Sequence, residues 1–318
     1  MRKELSIIIV NYRSWSYLEA CLKSLDHPQD RYEVLVVDNF SDDGQFESFA
    51  ANYPHIEFIK SQNNLGFGGG CRLGVLHSSA EYLLFLNPDT RANYDAVDSM
   101  LQFLKSQNKY GIVSCKQHNN VARHRLLFPS SWRLFGLLKS AEARMRVRKF
   151  ALHRWRSFEF IVPDWVSASV LMISRRDYER IGGWNQIFWM YYEDPDLCKR
   201  FADQGGRVAL LTNCSISHKH GGATRFDLGT TVLTKAEVTI SRHVYIHNYF
   251  SKMERILSHS ILIASFLFFG SALALLGTLT FFIPRMRLQR LIWQRRWKYY
   301  AKVLRTRSWL SPRLAMDP

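Results

Sequence analysis

The chain has 318 residues, 47% of them hydrophobic, with 43 Lys plus Arg against 27 Asp plus Glu and a formal net charge of +16. That much apolar material fits one large core or two small ones. Its five cysteines, Cys21, Cys71, Cys115, Cys198 and Cys214, are odd in number and show no C-x-x-C spacing, which argues against a disulfide framework or a zinc site and for a reducing cytoplasm.

The N-terminal "MRKELSIIIV" has an apolar run only from Leu5 to Val10 and no small-residue cleavage site. It reads as a first strand rather than a signal peptide. A helical stretch near Trp15 to Leu25 follows, then a strand at Val34–Val37, a helix ending near Ala51, and a short strand at Ile56–Ile59. A helix from about Gly68 leads to a strand at Leu83–Leu86. Continuous rather than alternating apolar strands, separated by helices, predict a mostly parallel, doubly wound α/β sheet covered on both faces. Farther on, Trp165–Ile173 reads as a strand, Arg175–Ile181 as a short helix, Asp194–Asp203 as a helix stopped at Gly205-Gly206, and Val208–Leu211 as a strand.

Polar groups stand at the ends of several of these strands. Asn11-Tyr12 follows the first, Asp38-Asn39 in "VVDNFSDDG" the second, "NNLGFGGG" (Asn63–Gly70) the third, and Asn87-Pro88-Asp89 the fourth. An open α/β sheet binds ligands along that carboxyl edge. Each group also has a plainer reading. Asp38-Asn39 suits a helix cap or a turn, and the Asn-Pro-Asp run suits a turn. The glycines either form a flexible turn or let backbone N–H groups approach a phosphate. They follow the wrong strand, with the wrong spacing, for a dinucleotide fingerprint. Asp89 suits a Mg²⁺ or Mn²⁺ ion neutralising a nucleotide diphosphate, which needs only one or two protein carboxylates.

In "GGWNQIFWMYYEDPDL", Glu193, Asp194 and Asp196 cluster at a helix mouth behind Trp184, Phe188, Trp189, Tyr191 and Tyr192. Acids at a helix N-terminus are stabilising in themselves. Aromatics beside acids also suit a sugar wall with a general base. His218 and His220 in "SHKHGGAT" offer either a structural histidine or a metal ligand.

Taken in order, "IIIVNYRS", "VVDNFSDDG", "NNLGFGGG", "LNPDT", "DWVSASVLMISRRDYERIGGWN", "FWMYYEDPDLCKR" and "SHKHGGAT" resemble the family 2 inverting glycosyltransferases. Within that family they resemble most the rhamnosyltransferase-like enzymes of bacterial polysaccharide and O-antigen assembly. The resemblance spans residues 5–252 and implies a GT-A fold, a nucleotide-sugar donor (dTDP- or UDP-linked) and Mg²⁺ or Mn²⁺. It implies that Asp38 contacts the nucleotide base in a pocket lined by Asn11 and Tyr12, with Asn39, Asn64, Gly66 and Asn87 also on the nucleotide. Asp89 would be the metal carboxylate, Asp194 the catalytic base with Glu193 as its alternative, and His218 the metal or diphosphate histidine with His220 as its alternative. Trp165, Trp184 and Tyr192 would lie near sugar or acceptor. Relatives often carry Asn where this chain has Cys71-Arg72, leaving Arg72 to contact the diphosphate or to form a salt bridge.

The implied organisation is a catalytic domain over 1–252, with a nucleotide half (1–115), a basic insertion (123–156) and an acceptor half (160–225). A membrane-associating region over 253–318 follows. Segments 123–156 and 285–318 each carry ten basic residues and one acid, leaving the rest near neutral. Such segments suit anionic partners. Ile261–Ile283 holds no charged residue and is long enough to cross a bilayer. Nucleotide sugars are cytoplasmic, however, and the basic tail prefers the cytoplasm too. A single crossing would separate them. Ser260–Pro284 is therefore expected to form a re-entrant or in-plane hairpin bent near Gly270 or Gly277, or two short surface helices. A buried core pair is the plainer alternative. Leu134, Leu137, Leu138, Ala141 and Met145 follow helical spacing among basic residues, as in an amphipathic surface helix. The expected acceptor is a saccharide on a lipid diphosphate at the cytoplasmic face of the inner membrane. A nucleic-acid-binding protein, favoured by Trp293, Trp297, Tyr299 and Tyr300 in the basic tail, leaves Asp38, Asp89 and Asp194 unexplained. No nucleic-acid partner is expected. A catalytically inactive glycosyltransferase-like scaffold is the subtler alternative.

Overall fold

The computed structural model describes residues 3–25, 30–107, 109–117, 127–130, 159–219, 221–223 and 227–314. The amphipathic helix expected within 133–156, and His220, lie outside the described residues. Contacts divide the chain into two compact units. The first is built from residues 1–128, 139–185 and 193–223, and the second mainly from 186–192 and 224–318.

The first unit is a mixed sheet of nine strands among the described residues, in the order β3-β2-β1-β4-β8-β6-β9-β5, with β7 also on β9. Strands β1 (Leu5–Asn11), β2 (Tyr32–Asp38), β3 (Glu57–Lys60) and β4 (Tyr82–Leu86) form its parallel half. All seven residues of β1 are buried, because both faces of the sheet are covered. On one face pack α1 (Trp15–Ser24) and α4 (Tyr94–Ser106), with Leu18, Val97 and Met100 in the core. On the other lie α3 (Gly66–His77) and α6 (Glu193–Asp203), with Val75, Leu197 and Phe201 buried. The remaining helices of this unit among the described residues are α2 (Phe46–Asn52) and α5 (Arg175–Arg180).

Beyond β4 the directions alternate. Strand β8 (Val170–Ser174) runs antiparallel to both β4 and β6 (Tyr110–Gln117). Strand β6 is parallel to β9 (Arg207–His218), while β5 (Thr90–Arg91) and β7 (Phe160–Ile161) are antiparallel to β9. The strand expected over Trp165–Ile173 is thus only Val170–Ser174, and the residues before it approach as a turn. Strand β9 starts near the expected place but continues to His218.

The glycine run is partly a packing device. A Cβ on Gly70 would stand 2.7 Å from Val10 Cγ1, and one on Gly74 2.5 Å from Ile8 Cγ2. These residues let α3 lie directly on β1.

The second unit is helical: α7 (Leu228–Tyr249), α8 (Lys252–Leu279) and α9 (Pro284–Thr306). Each start is coded locally. Asp227 accepts from the Thr230 N–H, Ser251 and Glu254 form a capping box, and Pro284 opens α9. Helix α8 passes through both glycines at which a bend was expected. It accommodates a π turn at Phe266–Gly270, and the chain reverses at 280–283 before α9. Gly277 faces α9, where a Cβ would sit 2.4 Å from the Met286 carbonyl oxygen. Helix α8 is long and apolar enough to cross a membrane, yet only 17% of its most apolar window is buried. Phe268, Phe269 and Phe282 are each at least 70% exposed, so this is not a buried core pair. Tyr299 and Tyr300 are buried, which removes two of the aromatics counted toward a nucleic-acid face.

Candidate active site

The register of the sheet brings the strand ends together. Asn11 pairs with Asp38 across β1 and β2, and Ile9 pairs with Leu86 across β1 and β4. Asn11, Asp38 and Asn87-Pro88-Asp89 therefore emerge side by side. Asp38 is 1% exposed. Its Oδ1 accepts from the Ser41 hydroxyl and from Asn11 Nδ2 (3.4 Å), and its Oδ2 from the Ser41 N–H (3.2 Å). Burial raises its carboxyl above the usual range, opposed by those hydrogen bonds. Asp38 thus shapes the loop at Ser41, whose hydroxyl also accepts from the Arg13 N–H (2.8 Å).

Asn39 and Asn64 build the glycine loop. Asn39 Oδ1 accepts from the Leu65 N–H (2.9 Å), Asn39 Nδ2 donates to the Gly66 carbonyl (2.9 Å), and Asn64 Oδ1 accepts from the Gly66 N–H (3.1 Å). Gly66 needs its lack of a Cβ, having φ +73°. Arg72, expected on the diphosphate or in a salt bridge, donates to the Gly182 and Trp184 carbonyls, both at 3.3 Å. It clamps the Gly-Gly-Trp turn.

Asp89 and His218 meet because Thr90 pairs with His218 across β5 and β9. His218 Nε2 lies 3.2 Å from Asp89 Oδ1, and both side chains are almost wholly buried. Asp89 Oδ2 accepts from the Ala223 N–H (3.2 Å). On its other side His218 Nδ1 donates to Gln117 Oε1 (2.8 Å), which also accepts from Ser169 Oγ (3.0 Å). Gln117 therefore turns Nε2 toward the carboxylate. A neutral imidazole in that tautomer sets two electron-rich atoms face to face, an arrangement that a cation or a proton satisfies. No cluster of three or more His, Cys, Asp or Glu suited to a metal occurs among the described residues. A cation here would draw its other ligands from diphosphate and water, as Mg²⁺ and Mn²⁺ commonly do.

Strand β8 delivers the third element. Because it runs antiparallel to β4, Ser167–Ser169 arrive beside Asn87, whose N–H donates to the Ser169 carbonyl (3.0 Å). Asp194, at the start of α6, accepts there from the Ala168 N–H and the Ser167 hydroxyl. Its Oδ1, like Glu193 Oε2, has no hydrogen-bond donor among the described residues. Loss of solvent pushes the Asp194 carboxyl up to about 7, against those hydrogen bonds. Glu193 is 5% exposed and is driven well above the carboxylate range by burial and by the neighbouring Asp194 charge. Asp196 is different. It is fully buried and ion-paired with Arg200 (2.7 Å), which also donates to the Ile181 and Gly183 carbonyls. Asp196→Ala is expected to lower stability by about 3–5 kcal/mol by stranding the Arg200 charge, read as the denaturant midpoint.

The expected sugar wall is largely core. Trp184 is 0% exposed and packs edge-on against Phe85 and Phe67. The Trp165 indole donates to the Leu127 carbonyl (3.1 Å). Tyr192 belongs to the second unit, where Arg242 Nε donates to its hydroxyl (3.1 Å) and its ring lies 5.4 Å from Tyr245. Tyr191 and Tyr192 have φ of +68° and +70°, which costs a non-glycine residue about 1–2 kcal/mol each. Gln117, Ser167 and Ser169 went unassigned in the sequence. The position of Gln117 at the end of the unread strand β6 was the signal available.

A half-parallel sheet with acidic strand ends and a carboxylate-headed helix across the edge defines a GT-A glycosyltransferase. Comparison with known proteins agrees. Residues 6–160 match "Glycosyl transferase family 2", and residues 158–221 match "N-terminal domain of galactosyltransferase". The chain carries a family 2 glycosyltransferase domain and is a hexosyltransferase. It is 26% identical over 211 residues to rhamnosyltransferase WbbL of Escherichia coli, covering 64% of this chain and 78% of that one. It is 23% identical over 247 residues to an N-acetylglucosaminyl-diphospho-decaprenol L-rhamnosyltransferase of Mycobacterium tuberculosis, covering 71% and 80%. A mannosyltransferase from Pyrobaculum calidifontis, solved with GDP-Man and Mn²⁺, superposes with a TM-score of 0.52 at 15% identity over 92% of this chain and 85% of that one.

Proposed function

We propose that the protein transfers rhamnose, with inversion, from a dTDP- or UDP-linked donor to a saccharide carried on a lipid diphosphate at the cytoplasmic face of the inner membrane, for cell-surface polysaccharide. The observation that carries this reading is the near-neutral Asp194, with Oδ1 lacking a donor, set at the same sheet edge as Asp89 and His218. That both of these relatives are rhamnosyltransferases supports rhamnose, and the name of one specifies a lipid diphosphate acceptor.

Asp89 and His218 would hold Mg²⁺ or Mn²⁺, which supplies charge neutralisation to the diphosphate when bound. Asn11, Tyr12 and the loop shaped by Asp38, Asn39 and Asn64 bind the nucleoside. Asp194 Oδ1 accepts the proton of an acceptor hydroxyl as that oxygen forms its bond to the anomeric carbon. The bond from that carbon to the diphosphate oxygen breaks on the opposite face, and the nucleoside diphosphate leaves with the electron pair. The configuration inverts. Outside this edge, the exposed apolar side chains of α8 and the arginines of α9 suit insertion at an anionic bilayer surface.

Thermal melting of the detergent-purified chain with dTDP, UDP or GDP, each with and without Mn²⁺, tests the donor site. One nucleotide is expected to raise the melting temperature in a metal-dependent way. Its rhamnose conjugate is then expected to extend N-acetylglucosaminyl-diphospho-polyprenol with an inverted anomeric centre by NMR. Absence of stabilisation by all three would favour the inactive scaffold.

A further inference from the structure

The seven residues before the carboxylate helix, Gln186–Tyr192, group with the C-terminal helices rather than with the sheet. Phe188 is buried among Val244, Tyr245, Ile246 and Phe250. The Met190 carbonyl accepts from Ser241 Oγ (2.6 Å), and Tyr192 is fastened to Arg242. Trp189, 2% exposed, lies beneath the Arg313 guanidinium, 4.5 Å from its carbon.

Arg313 is held there by a strap that follows α9. Arg307, in the left-handed region at φ +53°, turns the chain back. The Trp309 ring stacks on His259 (4.0 Å) and His243 (4.6 Å), and its carbonyl accepts from the Tyr299 hydroxyl (2.8 Å). Lys302 Nζ donates to the Leu310 carbonyl (3.0 Å). Ser311 Oγ donates to buried Glu237 (3.2 Å) and accepts from the Arg313 N–H (3.2 Å). An exposed basic tail would show none of this.

Tyr191 and Tyr192 hold a backbone conformation that persists only where the surroundings over-determine it. Glu193 and Asp194 are the next two residues. We infer that the C-terminal strap, through Arg313 seated on Trp189, is a positioning element for Asp194: it fixes the left-handed tyrosine pair from which the base-bearing helix starts. The inference rests on Asp194 being the base. It gives the membrane-associating region a part in the chemistry as well as in docking.

The test compares Arg313→Ala, Arg313→Lys and Asp194→Asn in the full chain. The donor is dTDP-rhamnose and the acceptor N-acetylglucosaminyl-diphospho-polyprenol, with hydrogen exchange followed in parallel. Arg313→Ala is expected to lower kcat about tenfold or more, since a misplacement of about 1 Å can cost on the order of 100-fold. It is also expected to displace the acid limb of the pH–rate profile. Amide exchange should accelerate at 187–194 and stay unchanged in β1 and β4. Melting stabilisation by dTDP with Mn²⁺ should persist. Arg313→Lys keeps a cation over the indole and is expected to restore most of the rate. A purely structural role would scale activity with folded protein and leave the profile unmoved, which overturns the inference. So does wild-type protection at 187–194 in Arg313→Ala, a readout that needs no substrate. Full activity in Asp194→Asn would instead remove the base assignment, and this inference with it.

Discussion

Asp194→Asn is expected to lower kcat by about 10²–10⁴-fold, the range a positioned general base contributes. Nucleotide-dependent stabilisation should survive, because Asp194 touches none of the residues that shape the nucleoside loop. The same assignment fixes a pH dependence. The base works deprotonated, and its carboxyl ionises near 7. The rate should therefore be full above about pH 8 and fall about tenfold per unit below about 7, following the unprotonated fraction. The cause is burial, so admitting solvent should move the acid limb to lower pH. Glu193→Gln separates the two neighbours. Burial raises the Glu193 carboxyl, which favours its neutral form, so an isosteric amide should leave kcat within a few-fold. An Asp194→Asn enzyme with wild-type turnover would transfer the role elsewhere.

The second large effect belongs to the Asp89–His218 pair. Asp89→Asn and His218→Ala are each expected to abolish the Mn²⁺-dependent part of nucleotide stabilisation and to cut transfer by at least about 100-fold, since charge neutralisation at a leaving diphosphate is a term of several kcal/mol. Gln117→Leu grades the test. It removes the acceptor of the His218 Nδ1–H and so frees the ring to rotate. Losing an orienting partner of this kind typically costs about 10–100-fold in metal affinity. A titration of Mn²⁺ at fixed nucleotide would read all three variants. Equal metal dependence in wild type and Asp89→Asn would sink the assignment.

The parallel half of the sheet could be read in the sequence because residues buried on both faces leave an uninterrupted apolar run, as in Ile7–Val10 and Leu83–Leu86. The half containing β8, β6 and β9 was harder. Trp165–Ser169 runs without a break into the strand it precedes, yet its work is to carry the Ala168 N–H and the Ser167 hydroxyl to Asp194. Such a role depends on a partner 26 residues away in sequence and leaves no periodicity. Aromatic residues beside acids looked like a sugar wall. Composition cannot separate a ring that stacks on a sugar from one that fills a core, and Trp184, Phe188 and Trp189 fill cores. The glycine run carries a second signal that spacing does not reveal. Gly70 and Gly74 answer to the approach of α3 to β1, a contact with residues some 60 positions earlier. Asp89, Asp194 and His218 were visible because each stands at the end of an element, where the pattern itself breaks.

Asp89 stands within the first third of the chain, but the imidazole that faces it comes from residue 218, at the far end of the last long strand. A growing chain folds from its N-terminus. Until β9 has left the ribosome and paired, the nucleoside loop can exist without the histidine that completes the acidic edge. A product terminated before β9 would thus keep the parallel half of the sheet and lack the imidazole that faces Asp89.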